Sequence, residues 1–308
     1  MKSSTYKQLL PDDLHRWMAD KKNFCLIDTL PADHFCRVHL PGSANACVFE
    51  VDFIDQVKAI SEDKDAEIVF YGSSGGSMDA VKATEKLDNE GYRHVNVLTG
   101  GIEAWRSAGL VLEGDAVDEP DDPQTLLKLD DRSYKIDTEQ SSIQWTGRNA
   151  HSSHFGDIKI SKGELAVKGG NISGSFDIDM ESMTNINLEG DELQPVLIAH
   201  LKSDDFFLTR LFPKATFKIL SAALAKEPFA TLPNYEIKGQ LELRGIEAGQ
   251  DFLATVTQTP EKTLLIEAHF DIDRTRWNII YGSARFFEHL GMHQVFDLIS
   301  IEMRIVAL

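Results

Sequence analysis

The spacing of apolar residues changes once along the chain, and this change constrains the fold more than any other feature. Up to about residue 110, short apolar runs such as Glu67–Tyr71 alternate with helical patterns such as Met78–Leu87. From about residue 170, apolar and polar residues alternate, as in Tyr235–Leu243. Continuous runs are typical of parallel strands buried on both faces, and alternation is typical of antiparallel strands with one buried face. The sequence therefore predicts an α/β domain followed by an all-β domain.

The segment between these two halves has the composition of a linker. Residues 113–133 are rich in Asp and Glu, contain Pro120 and Pro123, and lack apolar periodicity apart from a short Thr-Leu-Leu stretch. We therefore predict a multidomain chain with an α/β domain over 1–112, an acidic linker over 113–133 and an all-β domain over 134–308.

The second domain contains five rows in which every other residue is apolar. The rows run over Ile172–Met180, Ala215–Ile219, Tyr235–Leu243, Leu264–Ile272 and Ile299–Ile305. So many strands leave open sheet edges unless the sheet closes on itself, which favours an antiparallel barrel with its apolar face inward. The stretch Leu193–His200 is predicted to form a short helix between the strands.

The net charge excludes some classes of binding partner, and the cysteine content indicates the cellular compartment. The 308 residues include 49 Asp and Glu against 31 Lys and Arg, a net charge of -18. This excess repels nucleic acid and acidic lipid surfaces. No apolar signal segment follows the first residues, and no run approaches the roughly 20 apolar residues of a membrane span. With an odd count of three cysteines, these features predict a cytoplasmic protein without a disulfide framework.

A glycine- and serine-rich loop follows the strand Glu67–Tyr71 and precedes a helix. It comprises Gly72, Ser73, Ser74, Gly75, Gly76 and Ser77. Backbone amides in such a loop, together with the positive end of the following helix, can hold an anion. The loop is therefore the candidate site of the first domain.

The first domain resembles the rhodanese family over roughly residues 5 to 112. The resemblance lies in Asp28, in the His39-Leu-Pro-Gly42 segment and in the Gly100-Gly-Ile-Glu-Ala-Trp105 ending. It implies a parallel sheet with helices, and an active-site loop with a cysteine directly after the fourth-strand tyrosine and an arginine near its end. In this chain Gly72 and Ser77 stand at those two positions. Since glycine supplies no thiolate, we predict a catalytically inactive domain that binds a protein partner or an anion.

Other nucleophiles leave a residual enzyme as an alternative hypothesis. Three serines lie in the Gly72–Ser77 loop, but a serine nucleophile requires an adjacent base, and the motif contains none. Cys25 is predicted to be a core residue, and Cys36 and Cys47 lie outside the loop. We therefore name no catalytic residue, and keep sulfurtransferase-related chemistry at Gly72–Ser77 as the alternative.

The second domain resembles the YceI-like family along its whole length. The motifs are Tyr134-Lys-Ile-Asp137, His200–Phe207, Phe212–Phe217, Gly239–Gly245 and Asp271–Trp277. The resemblance implies a lipocalin-like barrel around an apolar tunnel, and a polyisoprenoid or quinone-type lipid as ligand. We expect that a binding domain of this kind requires no cofactor. A barrel filled by large side chains, acting as a scaffold, is the alternative.

The inner faces of the predicted strands supply the candidate ligand site. The candidate ligand-binding residues are Phe176, Ile178, Met180, Phe217, Leu241, Ile266 and Met303 in the rows, and His200 and Arg276 at the mouth. His151 and His154 are two ligands short of a structural zinc site, so we predict no metal. The sequence leaves open whether the chain forms a homodimer.

Overall fold

The computed structural model describes residues 6–119, 129–226 and 229–308. The chain divides into two compact units, Met1–Asp121 and Asp122–Leu308. Within the described ranges, no helix is long and apolar enough to cross a membrane.

The first unit is a five-stranded parallel sheet flanked by helices. Its strands are β1 (Lys7–Leu9), β2 (Cys25–Asp28), β3 (Ala44–Asn45), β4 (Glu67–Tyr71) and β5 (His94–Leu98), in the spatial order β1-β5-β4-β2-β3. Its helices are α1 (Pro11–Ala19), α2 (Ala32–Arg37), α3 (Phe53–Ile60), α4 (Asp79–Asn89) and α5 (Gly101–Ser107). The predicted α/β architecture is therefore confirmed.

Strand β4 shows why both faces of this sheet are covered. Ile68 and Phe70 belong to a core cluster with residues of α3 and α4, whereas Val69 and Tyr71 belong to a second cluster with residues of α1 and α5. All four side chains are fully buried. A strand with two buried faces accounts for the continuous apolar run in the sequence.

The first residues of the predicted linker are hydrogen-bonded into the first unit. Glu113 and His39 exchange two backbone hydrogen bonds of 2.8 and 2.9 Å, and the amides of Asp115 and Ala116 donate to carbonyls of α2. The first unit therefore extends past residue 112. The remainder of the predicted linker includes residues 120–128, which lie outside the described residues.

Among its described residues, the second unit has nine strands, and eight of them form a closed antiparallel barrel. Its strands are β6 (Arg132–Lys135), β7 (Ser142–Arg148), β8 (Ser153–Lys168), β9 (Asn171–Asp179), β10 (Lys214–Leu224), β11 (Tyr235–Leu243), β12 (Ile246–Gln258), β13 (Leu264–Asp273) and β14 (Leu298–Ala307). Strands β7 to β14 form the ring, and β6 adds to the side of β8. A helix, α6 (Leu193–Lys202), lies between β9 and β10, as predicted.

The long strand β8 closes the ring. Its first half pairs with β7 from Ser153 to Ile158, and its second half pairs with β9 from Lys159 to Lys168. A register shift between Ile160 and Lys162 separates the two halves. A bulge of this kind bends a strand and increases its twist, which lets one strand serve both neighbours.

Candidate functional site

The barrel interior contains an apolar cavity at one end. Its volume is about 290 Å³, and residues from all eight ring strands, α6 and the segment 274–296 line it. Arg148 and Phe296 belong to its lining and are also exposed at the surface, so the cavity reaches solvent at that end. We call this opening the mouth.

The other half of the interior is filled by packed side chains. Tyr235, Ile237, Val256, Leu264 and Ile305 belong to the barrel core and are almost fully buried, but none of them lines the cavity. The barrel is therefore solid at one end and hollow at the other.

Most of the predicted ligand-site residues meet around the cavity. The lining includes Phe176, Ile178, Met180, Phe217, Leu241, Met303 and His200. Two members of the predicted set lie elsewhere. Ile266 pairs with Val256 and Ile305 in the packed half. Arg276 is exposed, with its guanidinium 5.3 Å from the Trp277 ring.

Four phenylalanines form a row of rings along the cavity wall. The ring centres of Phe176 and Phe217 lie 5.5 Å apart, as do those of Phe217 and Phe252. Phe252 and Phe270 stack with centres 4.2 Å apart. Aromatic faces of this kind offer large contact areas to an apolar ligand.

Of four small residues on the inner faces of the strands, only Ala215 lines the cavity, and Gly239, Ala254 and Ala268 do not. A Cβ at Gly239 would lie 2.0 Å from Cζ of Phe217, so the Phe217 ring covers this glycine. Ala254 and Ala268 belong to the core but do not line the cavity, whereas Ala215 does. The room next to Gly239 is therefore taken up by an aromatic ring.

His200 is held in place at the mouth. Its Nε2 lies 3.0 Å from Oδ2 of Asp205. Its ring packs edge-on against Phe206 and Tyr281, with centres 5.0 and 4.9 Å away. One side chain thus links α6 to the following turn and also contributes to the cavity lining.

Arg274 anchors the segment 279–296, which contributes to the cavity lining. Its guanidinium donates to the backbone carbonyls of Ile279 at 2.6 Å, Val295 at 3.0 Å and Phe296 at 3.1 Å. Burial lowers the pKa of Arg274, and the nearby Asp297 carboxylate opposes that shift. No local pattern in the sequence indicates that Arg274 donates to three backbone carbonyls.

The glycine-rich loop of the first unit is occupied by a side chain of its own helix. A Cβ at Gly72 would lie 2.0 Å from Oδ1 of Asp79, the first residue of α4. The amide of Ala80 donates to Asp79 Oδ1 at 2.7 Å, and the amide of Ser73 donates to Oδ2 at 3.4 Å. A carboxylate at a helix N-terminus is stabilised by the helix dipole. Asp79 therefore accepts from two of the amides that could otherwise bind an anion.

The rest of the loop is fixed by α5. The carbonyls of Gly72 and Ser73 accept hydrogen bonds from the amides of Ile102 and Glu103. Ser74 Oγ accepts from the Gly76 amide at 3.3 Å. Within the described part of the chain, no hydrogen bond joins a loop serine to a histidine, and no group of three or more His, Cys, Asp and Glu could hold a metal ion.

A second buried carboxylate lies at the end of β2. Asp28 is fully buried; its Oδ1 accepts from the Leu30 amide at 2.7 Å, and its Oδ2 has no partner in the described structure. Burial raises its pKa to about 6, and the hydrogen bond from Leu30, the nearby Tyr71 hydroxyl and His34 oppose this shift. Sequence reasoning identified Asp28 by resemblance and did not predict this shift.

A closed eight-stranded barrel that is hollow and apolar at one end defines a lipocalin-like binding protein. The model of the YceI-like domain matches residues 134–307, and the model of the Rhodanese-like domain matches residues 10–108. Since the first match covers more than half of the chain, the protein belongs to the YceI-like family, with a rhodanese-like domain at its N-terminal side.

Two solved structures are each similar to 56% of this chain. BcnA of Burkholderia cenocepacia is 20% identical, with 56% of this chain and 99% of that chain covered and a TM-score of 0.44. A polyisoprenoid binding domain from Saccharophagus degradans is 13% identical, with 56% and 97% covered and a TM-score of 0.42.

A curated relative matches the first unit. The adenylyltransferase and sulfurtransferase UBA4 of Candida albicans is 31% identical over 99 residues, which are 31% of this chain and 22% of that protein. The chain thus spans about a fifth of the length of the curated relative that it matches.

Proposed function

We propose that this protein binds an apolar lipid of the polyisoprenoid or quinone type in its barrel and has no enzymatic activity. The half-hollow barrel interior carries this proposal. A scaffold would need a filled barrel, whereas this barrel leaves about 290 Å³ next to a row of aromatic rings. Each Å² of apolar ligand surface that leaves water contributes about 25 cal/mol. Burial alone can therefore hold a long hydrocarbon chain.

The family resemblance supports a branched isoprenoid chain as the ligand. The lining offers Phe, Ile, Leu and Met side chains to the chain and confines polar groups largely to the mouth. His200, Asn149 and Arg148 lie there and can hydrogen-bond a polar head. This arrangement would leave the chain inside the barrel and its head near solvent.

Replacing Ile178 with Trp tests the site. Ile178 lines the cavity, so the larger side chain would fill space that the ligand needs. We expect binding of a fluorescent isoprenoid analogue to weaken about tenfold or more. Leu220→Trp is the matched control, because Leu220 lies on β10 and is 57% exposed on the outer surface. Equal binding by the parent and both variants would contradict the proposed site.

We propose that the first unit has lost sulfurtransferase activity and that it binds a protein partner. Gly72 supplies no thiolate, and the Asp79 carboxylate occupies the cradle that an anionic sulfur donor would need. We therefore favour a protein partner over an anion. Purified protein should form no thiocyanate from thiosulfate and cyanide above background. Activity that persists through purification and disappears in a Ser73→Ala, Ser74→Ala or Ser77→Ala variant would support the alternative, residual chemistry at the loop.

A further inference from the structure

Large apolar side chains are exposed around the mouth of the barrel. Met292 is 82% exposed, Leu193 and Val196 on α6 are each 61% exposed, and Phe296 is 45% exposed while lining the cavity. The remaining members of this set are Phe155, Ile186, Phe286 and Phe287. We call these eight side chains the apolar rim. Exposed apolar groups concentrated in one place mark an interaction surface.

Hydrogen bonds connect the segments that carry the apolar rim. The amide of Phe296 donates to the carbonyl of Arg148 at the end of β7, and the amide of Ile186 donates to the carbonyl of Phe155 in β8. Gln194 on α6 donates to the carbonyl of Asn185 at 2.6 Å. The segments that carry the rim are therefore joined to one another and to the cavity-lining residues Arg148 and Phe296.

The charge of this end differs from that of the whole chain. The segments 147–155, 193–202 and 281–296 contain one acidic residue, Glu288, although the chain as a whole has 49. The same segments contain three Lys and Arg, and five of the ten histidines. Acids border these segments within residues 189–192, at Asp205, whose Oδ2 lies 3.0 Å from Nε2 of His200, and at Asp297, which follows Phe296. These three segments are thus apolar and poor in negative charge on a strongly acidic protein.

We propose that the apolar rim docks on the surface of a zwitterionic lipid bilayer, where the ligand passes between the membrane and the cavity. This inference rests on the proposed lipid-binding function. An isoprenoid chain that crosses water exposes its whole apolar surface, whereas an apolar rim pressed into the headgroup region gives it a dry route. The acid-poor mouth suits phosphate-bearing neutral headgroups, and the net charge of -18 disfavours anionic bilayers.

Flotation of the full chain with phosphatidylcholine vesicles tests the docking. We expect the parent to float with the vesicles, and the double variant Val196→Asp with Met292→Asp to lose about tenfold or more in partitioning, because two apolar side chains no longer enter the interface. The matched control is Leu220→Asp with Leu253→Asp, at outer positions 57% and 54% exposed on β10 and β12. This control should float like the parent.

Binding of a soluble short-chain isoprenoid, measured without vesicles, separates this inference from the proposed function. Neither Val196 nor Met292 lines the cavity, so both double variants should bind the soluble probe like the parent. Failure of the parent to float while it binds the probe would overturn the docking surface alone. Equal loss in both double variants, or self-association of the parent that the rim variant abolishes, would also overturn it. Failure to bind the probe would overturn the lipid-binding function.

Discussion

The carboxylate of Asp79 fills the space into which any side chain at Gly72 would project. The ideal Cβ position at Gly72 lies 2.0 Å from Oδ1 and 2.3 Å from Oδ2 of Asp79. The two positions therefore depend on each other: with the buried Asp79 carboxylate at the start of α4, the position directly after β4 has room only for a glycine. This pair distinguishes the loop from one in which a cysteine alone is missing.

Restoring a cysteine at position 72 should therefore destabilise the protein. The Gly72→Cys variant forces Cβ against the Asp79 carboxylate, and overpacking of this kind costs about 1–3 kcal/mol. Urea unfolding of the first unit measures the loss. Gly76→Ala is the control, because its nearest neighbour would lie 3.8 Å away.

The double variant Gly72→Cys with Asp79→Ala tests the same contact. Removing the carboxylate should recover a large part of the loss caused by the cysteine, so the two changes should not be additive. Additive losses would show that Asp79 does not occupy the Gly72 position.

Because of Asp28, the free energy of unfolding should decrease as the pH rises from about 4 to about 6. Burial raises the folded-state pKa from 3.8 to about 6, so the folded state holds a proton that the unfolded state has lost in this range. Raising the pH through this window then favours unfolding. The shift corresponds to roughly 2–3 kcal/mol above pH 6.

Asp28→Asn should remove this decline. The amide oxygen can still accept from Leu30, and the variant carries no charge to bury. Urea midpoints measured from pH 4 to 8 should be flatter than those of the parent, and higher at pH 7. A variant less stable than the parent at pH 7, with an unchanged pH profile, would rule out a buried ionised Asp28.

Alanine substitutions at Arg274 and Arg276 should cause very different losses of stability, although the two residues are only two positions apart. Arg274→Ala leaves the carbonyls of Ile279, Val295 and Phe296 without their donor, and a loss of about 3 kcal/mol is expected. Hydrogen exchange over residues 279–297 should accelerate. Arg276→Ala removes an exposed contact with the Trp277 ring, and a loss below about 1 kcal/mol is expected. Similar effects of both variants would contradict the anchoring role of Arg274.

The elements of the fold could be predicted from sequence because burial imposes a local period. Strand β4 begins and ends at the predicted residues Glu67–Tyr71, and the row Tyr235–Leu243 is β11. Alternation defines which face a residue occupies, and a closed barrel turns that face inward.

Which inward-facing residues line the cavity and which lie in the packed half could not be predicted in the same way. Ile266 and Phe270 lie on the same face of β13, but Ile266 belongs to the packed half and Phe270 to the cavity wall. Their difference depends on the register of strands far apart in sequence. The Phe217 ring over Gly239, and Asp79 at Gly72, likewise depend on side-chain paths that no local pattern encodes.

Native mass spectrometry of the full chain, purified from its own host, tests the central claim most directly. The parent should carry a bound apolar lipid with an isoprenoid chain, and the Ile178→Trp variant, purified in the same way, should carry little or none while keeping its folded charge-state distribution. A folded parent that carries no lipid and takes none up from membrane extracts would contradict the account.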